Sequence, residues 1–243
     1  MKPDYRVLLL ALVLSIPSAT GVASAQNLPR SLIQGEDDRT LVEERDFPWS
    51  AIGRLNSTLG PFCTGTLIGS QQVLTAAHCL WNKRTGAWLP PCALHFVLGY
   101  QRSGFLAHSL VVSYKLEGEH LPEANPARPE LARDWAVLTL ARDLSTVAKP
   151  IPVGPLDPER LGAYKAKGGT FVQAGYSRDR AHILSRHDNC SLAGFASSGR
   201  LVLHACDATF GDSGSPILLL LDDTYRIVAM HLATTGQDPA GIA

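Results

Sequence analysis

A serine in a glycine-bounded turn is the first feature of the sequence that could do chemistry. The segment Phe210–Pro216 reads Phe-Gly-Asp-Ser-Gly-Ser-Pro, and the apolar run Ile217–Leu221 follows it directly. Glycines allow a sharp turn, so Ser213 could project from the end of a buried strand while the amides of Gly211 and Ser213 point at one oxyanion. The same composition is typical of an ordinary β-turn, so this segment alone leaves both interpretations open.

A serine nucleophile needs a base, and two upstream residues could supply the base and its orienting group. His78 follows the largely apolar segment Val73–Ala77, and Asp134 directly precedes the apolar segment Trp135–Leu140. Serine is a weak nucleophile at neutral pH, so a histidine must take its proton and a carboxylate must fix the tautomer of that histidine. The order His, Asp, Ser along the chain is one of several that unrelated folds use for this chemistry.

Each of these residues also has a structural interpretation when it is taken alone. A lone histidine after a strand is more often a surface or core residue, and an aspartate before a strand can simply mark the start of that strand. Three aspartates are weaker alternatives to Asp134, and seven histidines have no motif comparable to that of His78: Asp37, Asp38, Asp143, His95, His108, His120, His182, His187, His204 and His231.

Short apolar segments separated by turn residues predict an all-β barrel or sandwich. The strand candidates lie at residues 47–55, 62–68, 72–80, 94–98, 107–114, 135–140, 170–176, 199–204, 217–221 and 225–231. A turn is expected at Asp222 and Asp223, and the proline-rich segment Ala148–Pro155 is expected to link two halves. No amphipathic pattern with a helical period persists, so the helix content should be low.

Three motifs resemble those of the chymotrypsin-like (trypsin-like) serine proteases. Thr75–Cys79 resembles their histidine motif, Asp134–Leu138 their aspartate motif, and Gly211–Pro216 their serine motif. Ser215, where the animal enzymes usually carry glycine, and the lead-in Cys206–Thr209 are more similar to secreted bacterial members, including the glutamyl-endopeptidase-like group. The resemblance runs from about residue 33 to the end of the chain.

The resemblance implies two packed, antiparallel, six-stranded β-barrels, expected at residues 41–148 and 149–243, with the active site between them. It implies that His78 is the general base and acid, that Asp134 orients it, and that Ser213 attacks the scissile carbonyl of a protein or peptide. No cofactor or metal is implied. Only 12 residues follow His231, so the second barrel should be shortened and should lack the family's C-terminal helix.

The five cysteines divide into two pairs and one remaining thiol. Cys63 lies 16 residues before Cys79, which matches the family's bridge beside the catalytic histidine. Cys190 and Cys206 have the same spacing and flank a predicted hairpin, so a bridge between them could stabilise the approach to the specificity pocket. Cys92 is left over. No CxxC or HExxH motif indicates a zinc site.

Two residues give opposite indications about the side chain that precedes the cleaved bond. Asp207 lies six positions before Ser213, where trypsin has its pocket aspartate, and it would favour cleavage after Arg or Lys. His231 aligns with the histidine that glutamyl endopeptidases use to bind an acidic side chain. A structural Asp207 in a turn and a core His231 are the alternatives, and the sequence does not choose among them.

The start of the chain predicts export. Residues 1–25 are typical of a secretory signal peptide, with Lys2 and Arg6 before an apolar core and Ala23–Ala25 at the cleavage site. Residues 26–40 are expected to be an N-terminal arm or a propeptide remnant. Family members that are zymogens pair the aspartate before the serine with a new amino terminus, so Asp212 could pair with one at Ser31 or Ile33.

The charge balance argues against two classes of partner. The formal net charge is zero, with 22 basic and 22 acidic residues, so nothing attracts nucleic acid or an anionic membrane. The sequence therefore predicts a secreted (extracellular or periplasmic), monomeric serine endopeptidase. The alternative is a non-catalytic binding or structural protein on the same fold. An α/β-hydrolase is disfavoured because the Gly-x-Ser-x-Gly spacing is absent.

Overall fold

The computed structural model describes residues 33, 35–43, 45–59, 61–117, 131–234 and 241–243. The predicted signal peptide at residues 1–25 and the hypothetical amino terminus at Ser31 lie outside these residues. Within them, no helix has both the length and the apolar character to span a bilayer.

Six antiparallel strands close a barrel in the first half of the chain. Their order around the barrel is β2-β3-β4-β9-β8-β7, with bounds β2 Ile52–Ser57, β3 Cys63–Leu67, β4 Gln72–Thr75, β7 Leu94–Leu98, β8 Ala107–Leu116 and β9 Ala136–Leu140. Burial alternates along β8, where Ala107, Ser109 and Val111 face the core. The same core contains the fully buried Phe96 and Leu138.

Short elements extend from this barrel, and one of them carries His78. A hairpin of β5 (Trp81–Asn82) and β6 (Ala87–Trp88) leaves the barrel after β4. In the part of the chain that the structure describes, short 3₁₀ turns lie at Trp49–Ala51, Ala77–Leu80, Pro91–Ala93, Leu131–Arg133, Arg178–Arg180 and Ser197–Gly199.

The second half forms two antiparallel sheets around a second core. One has the order β1-β11-β10-β14-β15, and the other has the order β12-β13-β17-β16. The bounds are β1 Thr40–Leu41, β10 Thr170–Gly175, β11 Ser185–His187, β12 Leu192–Ala196, β13 Leu201–His204, β14 Pro216–Leu221, β15 Thr224–Met230, β16 Ala233–Thr234 and β17 Gly241–Ile242.

The turn between β14 and β15 has the backbone that a tight hairpin requires. Asp222 and Asp223 have φ values of +50° and +54°, and positive φ at both central residues is the signature of a type I′ turn. The apolar run Ile217–Leu219 in β14 is fully buried, so the strand that follows the serine turn is held rigidly in the second core.

One element was not expected from the sequence. The helix α1 spans Pro158–Ala166, and the Asp157 carboxylate caps it by accepting a hydrogen bond of 2.8 Å from the Arg160 amide. An aspartate N-cap followed by proline is a strong helix-start signal. Only Leu161 of the nine residues is buried, so the segment carries no amphipathic pattern. The all-β class is confirmed, with α1 as the one α helix of the described residues.

The segment 148–155 is hydrogen-bonded to both halves of the chain. Ile151 is fully buried and donates its amide hydrogen to the carbonyl of Leu67 in the first barrel, at 2.9 Å. Gly154 donates to the carbonyl of Ile227 in the second half, at 2.8 Å. The two halves are therefore hydrogen-bonded to each other through this connection.

Candidate active site

His78 is held by a single buried carboxylate. It lies in the 3₁₀ turn after β4, and its backbone amide donates to Asp134 Oδ1 at 2.8 Å. Its ring Nδ1 lies 2.6 Å from Asp134 Oδ2. Because the carboxylate can only accept from this nitrogen, Nδ1 carries the proton and Nε2 is free to act as a base. Asp134 is 3% exposed, so water does not compete for these bonds.

The turn that carries Ser213 depends on two glycines with positive φ. Gly211 has a φ of +98° and Gly214 a φ of +85°, values that other residues rarely adopt. A side chain at Gly211 would collide with the carbonyl of Tyr176, and one at Gly214 with the carbonyl of Thr64. The turn therefore packs its backbone directly against neighbouring backbone.

Thr64 of the first barrel anchors the same turn. Its amide donates to the carbonyl of Ser213 at 2.9 Å, and its hydroxyl donates to the carbonyl of Gly211 at 3.0 Å. Thr64 is fully buried in β3. Since His78 belongs to the same barrel, these bonds fix the position of the serine turn relative to the histidine.

Two amides of the turn have no acceptor within the described part of the chain. The amides of Asp212, Gly214 and Ser215 donate to the carbonyls of Thr209, His231 and Asp212 respectively. Among the described residues, the amides of Gly211 and Ser213 donate to no protein group. These are the two amides that the sequence assigned to an oxyanion hole, and they are available for a ligand oxygen.

Asp212 is buried and bonded within the chain. Its Oδ2 accepts from the Ser177 hydroxyl and from the Thr209 amide, both at 2.7 Å. Burial raises the pKa of Asp212 to about 6. The hypothetical pairing with an amino terminus at Ser31 or Ile33 stays a prediction, because Ser31 is not described; the carboxyl group already has two donors without it.

A buried arginine ties the N-terminal arm to the loop before the serine turn. The Arg39 guanidinium donates to Asp179 Oδ2 at 2.7 Å and also to both carboxylate oxygens of Asp37. Its side chain is 1% exposed. Asp179 in turn accepts from the Thr209 hydroxyl at 3.2 Å. The described part of this segment, expected to be an N-terminal arm or a propeptide remnant, is therefore packed on the second half, where β1 also extends the sheet.

A chain of hydrogen bonds fixes the tautomer of His231. The Cys206 amide donates to His204 Nδ1 at 3.1 Å, and His204 Nε2 lies 3.0 Å from His231 Nδ1. His204 therefore carries its proton on Nε2 and donates it to His231, whose own proton must then be on Nε2. Burial lowers the pKa of His204 to about 4, and burial also lowers the pKa of His231 well below its usual range. Both rings are neutral near pH 7.

Asp207 lies away from the cleft. It is 5% exposed, and its Oδ2 accepts from the Asp38 amide of the N-terminal arm at 2.8 Å. Its amide donates to His187 Nδ1 at 2.9 Å. Asp38, His187 and Asp207 bring three ligand-type atoms together, but the His187 nitrogen and the Asp207 oxygen already accept hydrogen bonds. The group therefore offers no ready metal site.

The disulfides join Cys63 to Cys79 and Cys190 to Cys206, and Cys92 is an exposed free thiol. The first bridge links β3 to the turn that carries His78. A second ligand-type group, Cys63, His78 and Cys79, includes both sulfurs of that bridge, so it cannot hold a metal ion.

A cleft of about 730 Å³ brings the candidate residues together. His78 and Ser213 both line it, as does His231, whereas Asp207 does not. The other lining residues come from both halves of the chain: Leu59, Pro61, Phe62, Cys63, Cys79, Trp81, Asn82, Lys83, Arg84, Leu89, Arg178, Thr209, Phe210, Gly211, Leu232, Ala233 and Thr234.

Sequence reasoning missed several residues of this site. Thr64 gave no signal, because a threonine in a strand is ordinary. His204 ends an otherwise apolar strand two residues before Cys206, and a polar residue at such a position could have indicated a buried hydrogen-bond chain. Lys83 and Arg84 follow His78 closely in the sequence, so their place at the cleft was accessible to local reasoning.

Comparison with known proteins agrees with this geometry. The chain matches the family described as Trypsin over residues 38–236. It is 40% identical over 55 residues to the glutamyl endopeptidase of Bacillus licheniformis, a match that covers 22% of the chain and 17% of that protein. It is 27% identical to the mouse kallikrein 1-related peptidase b22, over 72% of the chain and 71% of that protein.

Two further matches cover more of the chain. Serine protease 23 of Bos taurus is 26% identical over 80% of the chain, and the aligned part spans 53% of that protein. A solved structure of a Glu endopeptidase in complex with MPD superposes with a TM-score of 0.69 at 19% identity, covering 87% of the chain and 92% of that structure. This match confirms the all-β, two-barrel fold, and the family match over residues 38–236 shows that the chain belongs to the trypsin family.

Proposed function

We propose that the protein is a secreted serine endopeptidase that hydrolyses peptide bonds through an acyl-enzyme intermediate. The observation that carries this proposal is the pairing of His78 with the buried Asp134 at 2.6 Å in a cleft shared with Ser213. The two unbonded amides of Gly211 and Ser213 support it, because acyl transfer needs donors for the developing oxyanion.

The chemistry follows from these groups. His78 Nε2 takes the proton of the Ser213 hydroxyl while Oγ attacks the scissile carbonyl carbon, and the amides of Gly211 and Ser213 hold the resulting oxyanion. His78 then gives the proton to the leaving amine as the carbon–nitrogen bond breaks. Water then attacks the acyl carbon and loses a proton to His78, which returns it to Ser213 Oγ as the ester carbon–oxygen bond breaks, so that the acid product and the free serine are released.

The cleft supports cleavage after glutamate. The neutral His231 directs its Nε2 proton away from His204, and the acceptor that the described residues offer it, the Thr234 hydroxyl, lies at the outer limit of a hydrogen bond, 3.5 Å. That proton can be donated to a carboxylate of the substrate. Asp207, which would favour Arg or Lys, does not line the cleft. The partial similarity to a glutamyl endopeptidase points in the same direction.

Export is supported by the chain's own features. Residues 1–25 have the pattern of a signal peptide, and the two disulfides are of a kind that persists in oxidising compartments. The neutral overall charge is consistent with protein or peptide substrates rather than nucleic acid.

Labelling with a fluorophosphonate tests the catalytic proposal. This probe phosphonylates an activated serine, so the folded wild type should be labelled and Ser213→Ala should not. Ser103→Ala, which removes an exposed serine outside the cleft, should be labelled like the wild type. Failure of the folded wild type to react would favour a non-catalytic binding protein on this fold.

A matched peptide series tests the specificity proposal. Peptides that differ only in the residue before the scissile bond, with Glu, Gln, Lys or Leu at that position, should be cleaved fastest after Glu. Fastest cleavage after Lys would contradict the role proposed for His231 and would favour Asp207 as the residue that selects the side chain before the scissile bond.

A further inference from the structure

The cleft carries a charge imbalance that the catalytic groups do not use. Among the described residues that line it, three are cations, namely Lys83, Arg84 and Arg178, and none is an aspartate or glutamate. The protein as a whole has equal numbers of basic and acidic residues. These three cations, called the positive rim below, are therefore a local property of the cleft and do not follow from the overall charge.

These cations are not neutralised by neighbours. All three residues are exposed, and among the described residues none of them forms an ion pair. Asp179 follows Arg178 in the chain, but its carboxylate is bonded to Arg39. The Arg178 guanidinium instead lies 5.9 Å from the centre of the Phe210 ring, beside Gly211. The rim is available to a ligand.

The position of the cations relative to His78 shows which part of a substrate they would meet. The hairpin β5–β6, which carries Lys83 and Arg84, begins at the residue after the turn that holds His78. His78 donates its proton to the leaving amine, so the segment after the scissile bond must run past this histidine. His231, proposed to contact the residue before the scissile bond, belongs with Leu232–Thr234 to the second half of the chain, whereas Lys83 and Arg84 belong to the first.

The cleft lining next to Gly211 is apolar and firmly placed. Phe62 lies next to Gly211, since a side chain at that glycine would collide with its ring. The Arg54 guanidinium stacks 3.9 Å from the centre of the same ring, and Cys63 is tied to Cys79. A peptide on this lining would lie in the same cleft as Lys83, Arg84 and Arg178.

We propose that the leaving-group side of the cleft binds acidic residues, so that the enzyme prefers Asp or Glu within the first three positions after the scissile bond. This inference rests on the proposed endopeptidase activity and adds a second element of specificity to it. The attraction comes from exposed charges that water and salt screen. Its effect on cleavage should therefore be moderate and should weaken as salt is added.

Internally quenched peptides provide the test. All would share the acyl side, with the residue before the scissile bond that the first peptide series selects, and would carry Asp/Glu, Asn/Gln or Lys in the three following positions. At about 20 mM ionic strength we expect kcat/KM for the acidic peptide to exceed that of the amide peptide roughly fivefold to tenfold, and the ratio to fall towards one at about 0.5 M.

Charge variants assign the effect to these residues. Lys83→Gln/Arg84→Gln should remove most of the preference, and Lys83→Glu/Arg84→Glu should reverse it towards the Lys peptide. Lys167→Glu changes the net charge as much as Lys83→Gln/Arg84→Gln does, but at an exposed lysine at the end of α1. It should keep the wild-type ratio. Arg178→Gln should lower the ratio by a smaller factor.

Equal cleavage of the acidic and amide peptides at low salt would overturn this inference and leave the proposed function intact. An unchanged ratio in the Lys83 and Arg84 variants would also overturn it, because the preference would then come from elsewhere. Folded wild-type protein that cleaves none of the peptides would contradict the proposed function itself, and this inference with it.

Discussion

Two histidines face the same cleft, and their surroundings suit them to opposite tasks. His78 has a side chain that is 32% exposed, and its Nδ1 faces the carboxylate of Asp134. His231 is 2% exposed, and its Nδ1 faces another imidazole, that of His204. The surroundings of the two rings therefore differ in how well they stabilise a protonated, positively charged imidazole.

The partner at Nδ1 decides the difference. A proton on His78 creates an ion pair with Asp134, which stabilises the charged ring. A proton on His231 would gain no anion, because its neighbour His204 is neutral and buried, and its pKa is lowered by burial and by the charges that His204 and His78 would carry. The first ring is suited to proton transfer, and the second is suited to remain a neutral donor.

The largest expected effect comes from removing the carboxylate beside His78. Asp134→Asn should lower kcat by about 10⁴-fold, as in a related triad, because the amide can stabilise the wrong tautomer and cannot stabilise the imidazolium. Steady-state hydrolysis of the best peptide measures it. Asp143→Asn, at an exposed carboxylate that caps Ser145, should leave kcat unchanged. A loss below tenfold in Asp134→Asn would show that the His78 pair is not the catalytic one.

The buried histidine pair should make the fold sensitive to acid. The pKa of His204 falls from 6.5 to about 4 on folding, so the unfolded chain binds protons more readily than the folded one. The contribution of His204 to stability is thus complete above pH 6.5 and is lost as the pH falls towards 4, by about 3 kcal/mol.

Urea unfolding of wild type and His204→Gln between pH 7 and 4 measures this contribution. The variant should lose less stability than the wild type across the interval. Asp212, whose pKa is raised to about 6, acts in the opposite sense, since its contribution is lost as the pH rises through 6. It is present in both proteins, so it cancels in the difference. Identical slopes for the two proteins would contradict the buried, neutral pair.

A smaller effect should separate the donor function of His204 from its packing. Gln at position 204 can still reach His231 with an amide hydrogen, whereas Asn is shorter and can retain only the acceptor for the Cys206 amide. We therefore expect His204→Asn to reduce the preference for Glu over Gln about tenfold, which corresponds to one lost hydrogen bond to a charged group. His204→Gln should largely preserve it, and equal loss in both variants would argue against the relay.

The smallest effect should come from Thr234. Its hydroxyl lies 3.5 Å from His231 Nε2, a distance at which a hydrogen bond contributes little. Thr234→Val keeps the shape of the side chain and should change kcat/KM for the Glu peptide less than twofold. A larger loss would mean that His231 donates its Nε2 proton to Thr234 and not to the substrate.

Much of the fold was accessible from sequence because its signals are local. The strand expected at 135–140 is β9 at Ala136–Leu140, and the turn expected at Asp222 and Asp223 closes the β14–β15 hairpin. The helix α1 was missed because it buries one residue and shows no helical period, although Asp157 and Pro158 marked its start. The place of the N-terminal arm was also missed, because Arg39 finds Asp179 140 residues away.

The sequence by itself predicted His78, Asp134 and Ser213 as a catalytic triad, since residue types, local motifs and chain order are all signals of a nucleophile with its base. Only the tertiary structure distinguished Asp207 from His231. Their positions in the sequence made both of them candidates for the specificity pocket. The packing of two sheets directs Asp207 towards the Asp38 amide and His231 towards the cleft. Hydrogen bonds between groups far apart in the chain depend on how the strands are placed, and no local pattern records that placement.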